Sequence, residues 1–481
     1  MNTSIKRAGC ALVLAALVAA CAPVPPYQQP AVQTPASWDA ASPNAGVWPD
    51  PQWWRAFGND ELDALIAEAI ANNRDLRAAV IRIDEARERG KIAGAPRLPT
   101  LGVGAEPGRD EKSSEKTASK DIFVGFQASY ELDLFGRYSA SASAALARVD
   151  ASVYDRATVA ITLEGDVAAT FFQILSLRDR QRVLQDSIRN AQGVLDIVRS
   201  RGEAGGSSDV ELAQQSSITA RQKAALPALQ LAERQATTAL AVLLGRNPEG
   251  FAVTTRSLQQ LRVPPVVAGL PSELLLRRPD MRRSEAALRA VHFDWESSHA
   301  ARFPSIALTA VGGVAANGLG ALFNPGSALL AVAGSLTAPI FAGGRLQGQE
   351  NLDAARYHEA VELYYGSAIA AFRDVENALY ANELNQRQLV LNREAYAQAQ
   401  RAFSLLDVRY NTGAIDFLSV LDAQRAVVET ADALKQAEFA RFTASVSLYK
   451  ALGGGWDRDQ VSGIRYQVSE GIRDQKARRS F

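Results

Sequence analysis

Cysteine is almost missing from this 481-residue chain: Cys10 and Cys21 are the only two, both near the start. With the first twenty residues removed only Cys21 would remain, which excludes a disulfide framework and a cysteine-built metal site. Histidine is nearly as scarce, with His292, His299 and His358. The first two stand seven residues apart, two helical turns, but without a third ligand they read as packing or surface residues. Lys+Arg and Asp+Glu balance at 52 each, and a zero net charge excludes a nucleic-acid partner held by a basic face. No nucleophile–base–orienter set and no phosphate loop is present, so the chain does not read as an enzyme. Proline is absent between Pro107 and Pro227 and again after Pro339. Those gaps leave room for long uninterrupted helices.

The N-terminus indicates the compartment. Lys6 and Arg7 precede an apolar run over 11–20, too short for the roughly twenty residues that span a bilayer but suited to a secretory signal. Leu17-Val18-Ala19-Ala20-Cys21 resembles a bacterial lipobox. Cys21 is therefore expected to carry a diacylglycerol thioether and an N-acyl chain, with no other cofactor. Several acyl chains anchor firmly where one would not. Ala22, not Asp, follows the cysteine, so by resemblance to known sorting the outer membrane is the expected address. A plain secretory signal cut after Ala20 is the alternative.

The chain then repeats itself. At a shift of 205, Glu68, Asp75, Arg77, Ala95, Arg97, Pro99 and Ala105 meet Glu273, Asp280, Arg282, Ala300, Arg302, Pro304 and Ala310. At 208, Gly136-Arg137 meets Gly344-Arg345, Arg201 meets Arg409, Gly205 meets Gly413, and Leu244-Gly245 meets Leu452-Gly453. Two copies of one unit follow. The expected layout is a signal peptide over 1–20 and a lipidated tether with an equatorial segment over 21–60. A first repeat over 61–245, a linker over 246–270, a second repeat over 271–453 and a tail over 454–481 complete it. Residues 23–44, rich in Pro, Ala, Gln and Ser, read as an extended tether without its own core.

Each copy changes period partway. Over 122–134 the even positions are Ile, Val, Phe, Ala, Tyr, Leu and Leu, a strand with one apolar face. Leu101, Val103 and Ala105 mark a shorter strand before a charged loop over 106–121. The second copy repeats the plan with Ile306, Leu308 and Ala310, then Leu330, Val332, Leu336 and Ile340. Helical pattern follows over 139–199 and 347–410, roughly 90 Å each at 1.5 Å per residue. Both stretches end in glycine-containing breaks, RGEAGGSSD (201–209) and YNTGAID (410–416), before return helices of roughly thirty-five residues. Pro227 is expected to kink the first return helix. Asp280, after Pro279, reads as a helix-start carboxylate and not as part of an active site. Asp416 reads as a cap for the second return helix, whereas Asp422 stands in an otherwise apolar stretch.

Four strands cannot close a membrane barrel, so either they form a soluble sheet or several chains pool them. The apolar outer face and the outer-membrane address favour pooling.

At this point the sequence resembles the TolC/OprM family of outer-membrane efflux factors, in the lipoprotein branch often labelled NodT. The lipobox, WWRAFGNDELDALIAEAIANNRDL (53–76), YELDLFGR (130–137), LPSELLLRRPDMRRSEAALRA (270–290), APIFAGGRL (338–346), RYNTGAIDFLSVLDAQR (409–425) and LYKALGGGW (448–456) carry the likeness. The resemblance implies an α+β membrane protein built on the duplicated strand-strand and long-helix-hairpin unit. It further implies a homotrimer with a 12-stranded transmembrane β-barrel in outer-membrane lipid, continued by a periplasmic α-helical barrel. The function implied is the passive exit duct of a tripartite, RND-type efflux system, docking a periplasmic adaptor and an inner-membrane transporter. The docking tips would include Gly202, Gly205, Gly206, Asn411 and Gly413. Asp422 matches a family aspartate at the periplasmic constriction, with Ser419 and Asp416 beside it as further gate residues. A periplasmic coiled-coil adaptor or structural lipoprotein of an export machine is the alternative function.

Overall fold

The computed structural model describes residues 24–39, 50–109, 120–265, 269, 271–316, 319–454 and 456. Among them the first copy comprises α1 (Asp60–Asn72), α2 (Arg74–Gly94), β1 (Thr100–Arg109), β2 (Lys120–Leu132), α3 (Arg137–Glu203) and α4 (Asp209–Leu243). The second comprises α5 (Pro271–Arg277), α6 (Pro279–Ala300), β3 (Ser305–Ala316), β4 (Ala328–Thr337), α7 (Arg345–Asn411) and α8 (Phe417–Ala451). The long helices α3 and α7 each have 67 residues, and the return helices α4 and α8 each have 35. Each pair is offset by 345 − 137 = 417 − 209 = 208 residues. Identical lengths at one offset mark a true duplication.

Contacts divide the chain into two compact units. One gathers Ile81–Val153 and Arg283–Gly366 with the N-terminal residues through Val32, and holds the sheet. Its strands form an antiparallel meander in the order β1-β2-β3-β4, so β2 and β3 join the two copies. β1 runs on to Arg109, beyond the expected end at Ala105, shortening the loop. β4 stops at Thr337, so Ile340 falls outside the strand, almost fully exposed. Pro339 has no N–H to give a ladder, which ends the strand before Ile340.

The other unit, Gln33–Val80, Tyr154–Arg282 and Ser367–Phe481, holds the aromatic core. A 3-10 turn, Trp53–Phe57, inserts three rings among the helices. Trp53 stacks on Tyr449 at 4.7 Å, and fully buried Phe57 lies 4.9 Å from Phe172 and 6.0 Å from Phe442. Truncating such a ring costs about 3–5 kcal/mol, so this turn pins the helices around it. Pro227 lies inside α4 without ending it. Beside it, Gln181 donates from Nε2 to the Leu229 carbonyl at 3.3 Å, one of the contacts that hold the helix on α3.

The described residues 24–39 have no regular structure, and they are seated on the fold. In the first unit the Tyr27 ring packs 5.7 Å from that of His292, and Gln29 Nε2 donates to Tyr364 Oη at 3.0 Å. In the second unit buried Trp38 donates from Nε1 to the Gly269 carbonyl at 2.7 Å. His292 is buried among rings and His299 Nδ1 lies 2.8 Å from Glu350, so both are packing residues.

Candidate functional sites: the strand face and the hairpin tips

The ladder register aligns the apolar positions of all four strands. Val103 stands opposite Phe126, Ala105 opposite Val124, and Leu101 opposite Ala128. Across the junction between copies Tyr130 meets Leu308 and Leu132 meets Ile306. Ile306 and Ala310 then meet Leu336 and Val332. Alternation puts these residues on one face, and that face is open: Leu101, Val103, Phe126, Leu330, Val332 and Leu336 are all exposed. The opposite face carries Gly102, Gln127, Ser129, Thr309, Ala333 and Ser335, paired across the same ladders. An apolar face of this extent on a bare sheet calls for an apolar surrounding.

At the far ends of the long helices both copies turn in the same way. Gly205 and Gly413 have φ of +75° and +76°, which glycine adopts without strain. Gly205 N–H donates to the Gly202 carbonyl at 2.9 Å and Gly206 N–H to Arg201 at 2.7 Å. Gly413 and Ala414 repeat these bonds to Tyr410 and Arg409, at 3.0 and 2.9 Å. Each helix therefore ends in a Schellman motif. The return helices start on equivalent caps. Ser208 forms a capping box with Glu211, and Asp416 accepts from Ser419 N at 3.1 Å and from Ser419 Oγ at 2.6 Å. These bonds from Ser419 hold the Asp416 carboxyl below the usual carboxylate range.

The structure also ties the two tips to each other. Arg201 donates from Nη2 to Asn411 Oδ1 at 3.0 Å, and its guanidinium lies 5.0 Å from the Tyr410 ring centre. Beneath them Val198, Ile218, Phe417, Val420 and Leu421 form a small buried cluster. Phe417, Val420 and Leu421 take the inward face of α8 at helical spacing, which turns Asp422 outward. The Asp422 side chain is 64% exposed and lies 3.3 Å from Arg425 Nη1. Sequence reading missed both arginines. The i,i+3 spacing of Asp422 and Arg425 was visible, but the reach of Arg201 to the other hairpin has no local signal. Cys21 lies outside the described residues.

The first unit thus presents an open apolar sheet face and the second presents long paired helices, features of a membrane-channel component. The model of the family described as outer membrane efflux protein matches residues 65–246 and 270–454. The pyoverdine export outer membrane protein OpmQ of Pseudomonas aeruginosa is 39% identical over 92% of this chain and 96% of its own length. The cation efflux system protein CusC of Escherichia coli O6:H1 is 30% identical over 91% and 96%. The Neisseria gonorrhoeae MtrE outer membrane channel, solved in its open state, superposes with a TM-score of 0.82 at 30% identity, covering 91% of this chain and 99% of that one.

The chain belongs to the outer membrane efflux proteins. It is an efflux channel component of the outer membrane, a transporter and not an enzyme.

Proposed function

We propose that three copies of this chain assemble into the passive exit duct of a tripartite efflux system. The observation that carries this reading is the sheet, whose apolar face is open and whose outer strands, β1 and β4, are its two edges. An edge left open in lipid strands backbone N–H and C=O groups without partners. Pairing β4 of one chain with β1 of the next closes twelve strands in a ring and removes every edge.

The helices also favour assembly with neighbouring chains. On α7, Tyr380, Leu384, Leu391, Leu405 and Val408 are exposed and fall at the three-, four- and seven-residue steps of a helix that packs along another. In the assembly these stripes face the next protomer, and the long helices form a tunnel through the periplasm. The tips at Gly202, Gly205, Gly206, Asn411 and Gly413 dock a periplasmic adaptor, which joins the duct to an inner-membrane transporter of the RND type. Asp422, flanked by Ser419 and Asp416, rings the periplasmic entrance in three copies. Cys21 carries a diacylglycerol thioether and an N-acyl chain, adding a lipid anchor to the barrel. Among similar proteins, OpmQ is named for pyoverdine export and CusC for cation efflux, and the duct proposed for this chain serves export of small molecules.

Single-channel recording in planar bilayers, paired with gel mobility of unheated detergent extracts, tests the reading. Stable conductance from a heat-sensitive band of three chains is expected. A monomer without channel activity would rule it out.

A further inference from the structure

We propose that the open margins of the first unit bind a second copy of this chain in the register that already joins the two repeats inside one chain. The proposal rests on the exit-duct reading and adds to it the residues that meet across the seam between protomers.

The duplication sets that register to the residue. β1 corresponds to β3 at a shift of 205, as Pro99 to Pro304, and β2 to β4 at 208, as Gly136 to Gly344. In the first hairpin Thr100 faces Ser129. The same two shifts turn that pair into Ser305 and Thr337, which face one another in the second hairpin. At the junction of the copies Ala128 faces Ala310 and Leu132 faces Ile306. Carrying the β2 residues forward by 208 and the β3 residues back by 205 puts Leu336 of one protomer opposite Ala105 of the next. It also sets Ile340 beside Leu101. Leu336, Ile340 and Leu101 are all exposed in the single chain. Ile340, cut off from the ladder by Pro339, meets an apolar neighbour there.

The helices beside the strands follow the same rule. α3 of the first copy packs on α6 of the second: Ser297 Oγ donates to the Arg137 carbonyl at 2.9 Å, and Arg289 lies 3.6 Å from Asp150. Shifted, the Arg289 and Asp150 positions become Asp84 on α2 and His358 on α7, an acid and a base that have exchanged sides. Burial points the same way. Ala144 and Ala286 are fully buried, whereas their counterparts Leu352 and Ile81 are exposed. Equivalent positions have like surroundings within their own copy, so the difference comes from the copy alongside. At the margins the alanines are replaced by larger apolar groups, which a neighbour would cover. One bond does not recur. Arg148 pairs with Asp294 inside the chain, but the shifted positions hold Arg356 and Arg89. Each of these keeps an acid of its own helix, Asp353 at 3.0 Å and Glu85 at 3.1 Å. A seam of this kind joins two different surfaces head to tail, and such contacts close into a ring when the rotation allows.

Disulfide trapping of the full-length protein in outer membranes tests the seam. Ala105→Cys combined with Leu336→Cys should give covalent trimer on oxidation, and neither substitution alone should. Moving the second cysteine two residues, as Gly334→Cys or Ala338→Cys, lengthens the Cα separation to about 7–8 Å, beyond disulfide reach. The yield should then fall at least about fivefold. For the helices, His358→Asp should lower the temperature at which the trimer dissociates in detergent, and adding Asp84→His should restore at least half of the loss. The proposal would be overturned by a strongest crosslink at position 334 or 338, or by no crosslink in a protein that still forms trimers. It would equally be overturned by a His358→Asp variant without loss, or with a loss that the exchange leaves unchanged. Absence of any trimer from the wild-type protein would instead defeat the exit-duct reading.

Discussion

Asn73 and Arg278 occupy equivalent positions in the two copies, and each hydrogen-bonds the last residue of its own return helix. Asn73 Nδ2 donates to the Leu243 carbonyl at 2.9 Å, and Arg278 Nη1 donates to the Ala451 carbonyl at 3.0 Å. The donors are 278 − 73 = 205 residues apart and the acceptors 451 − 243 = 208. Four positions further on, Arg77 and Arg282 bond the carbonyls of Ala71 and Leu276 through Nε, both at 3.1 Å, closing the ends of α1 and α5. The duplicated Asp75/Asp280 and Arg77/Arg282 pairs are helix-end hardware. The side chains at 73 and 278 have diverged while keeping one task.

The divergence sets different costs. Arg278 also pairs with Asp280 at 2.6 Å and Asp374 at 3.3 Å, and its side chain is only 11% exposed. Burial works against charge on Asp280, yet the bonds and charge of Arg278 prevail and hold its carboxyl below the usual range. Arg278→Ala should cost about 2–3 kcal/mol, because a carboxylate loses its partner and a helix-end carbonyl loses its donor. Asn73→Ala, which removes a cap and one such bond, should cost about 1–2 kcal/mol. Thermal unfolding of the detergent-solubilised protein ranks them, and an equal or reversed order would contradict the network.

Glu164 gives a pH signature. Burial pushes its carboxyl up to about 8, against the opposing pull of the Trp53 indole and the charge of Arg156. The folded state thus holds a proton that the unfolded state releases near 4.5. Stability contributed here is greatest below that value and declines as pH rises toward 8. Glu164→Gln keeps the shape without the titration. It should match wild type at low pH and exceed it by about 1–3 kcal/mol at pH 8. Parallel melting curves for the two proteins across that range would show the assignment to be wrong.

The strand register predicts an asymmetry between neighbours. Phe126→Arg or Val124→Arg puts a charge on the face proposed to meet lipid and should cost roughly 2–4 kcal/mol, seen as lost trimer. Gln127→Arg, one residue away on the other face, should be tolerated. Greater damage from Gln127→Arg would mean that the faces are reversed.

Asp422→Ala should raise single-channel conductance and weaken block by divalent and trivalent cations, with trimer stability little changed. Its carboxylate is exposed and its Arg425 contact is a surface i,i+3 pair, worth little to folding. Conductance and block matching wild type would remove Asp422 from the entrance.

Cys21→Ser should abolish labelling with radioactive palmitate. Equal labelling of both proteins would place the lipid elsewhere or nowhere.

Much of this was legible because it is periodic. The apolar faces of β1 and β2 are each visible as alternation in the sequence, and the glycine breaks coincide with the turns at Gly205 and Gly413. Features without a period stayed hidden. Tyr27, Gln29 and Trp38 find partners hundreds of residues away, and a Pro-rich composition says nothing of where a segment will lie. Asp422 stands out among apolar neighbours in the linear string, which does not show that those neighbours face inward and Asp422 outward. Ile340 fitted the strand alternation by side chain alone, but Pro339 ends a ladder whatever follows it.

The junction between β2 and β3 carries a consequence for ancestry. It joins one copy to the other with the same antiparallel pairing that the proposed ring needs between β4 and β1 of separate chains. A half-length chain with a single hairpin and a single helical pair would contain every strand pairing the ring requires, repeated six times around the axis. Fusing two such chains preserves the ring and releases half of its positions from strict identity. Where a six-fold ancestor had to place one residue at every site like 73, the fused chain can keep an amide in one copy and a guanidinium in the other. It can likewise confine the proposed acidic ring to α8, leaving Gln214 at the matching place in α4.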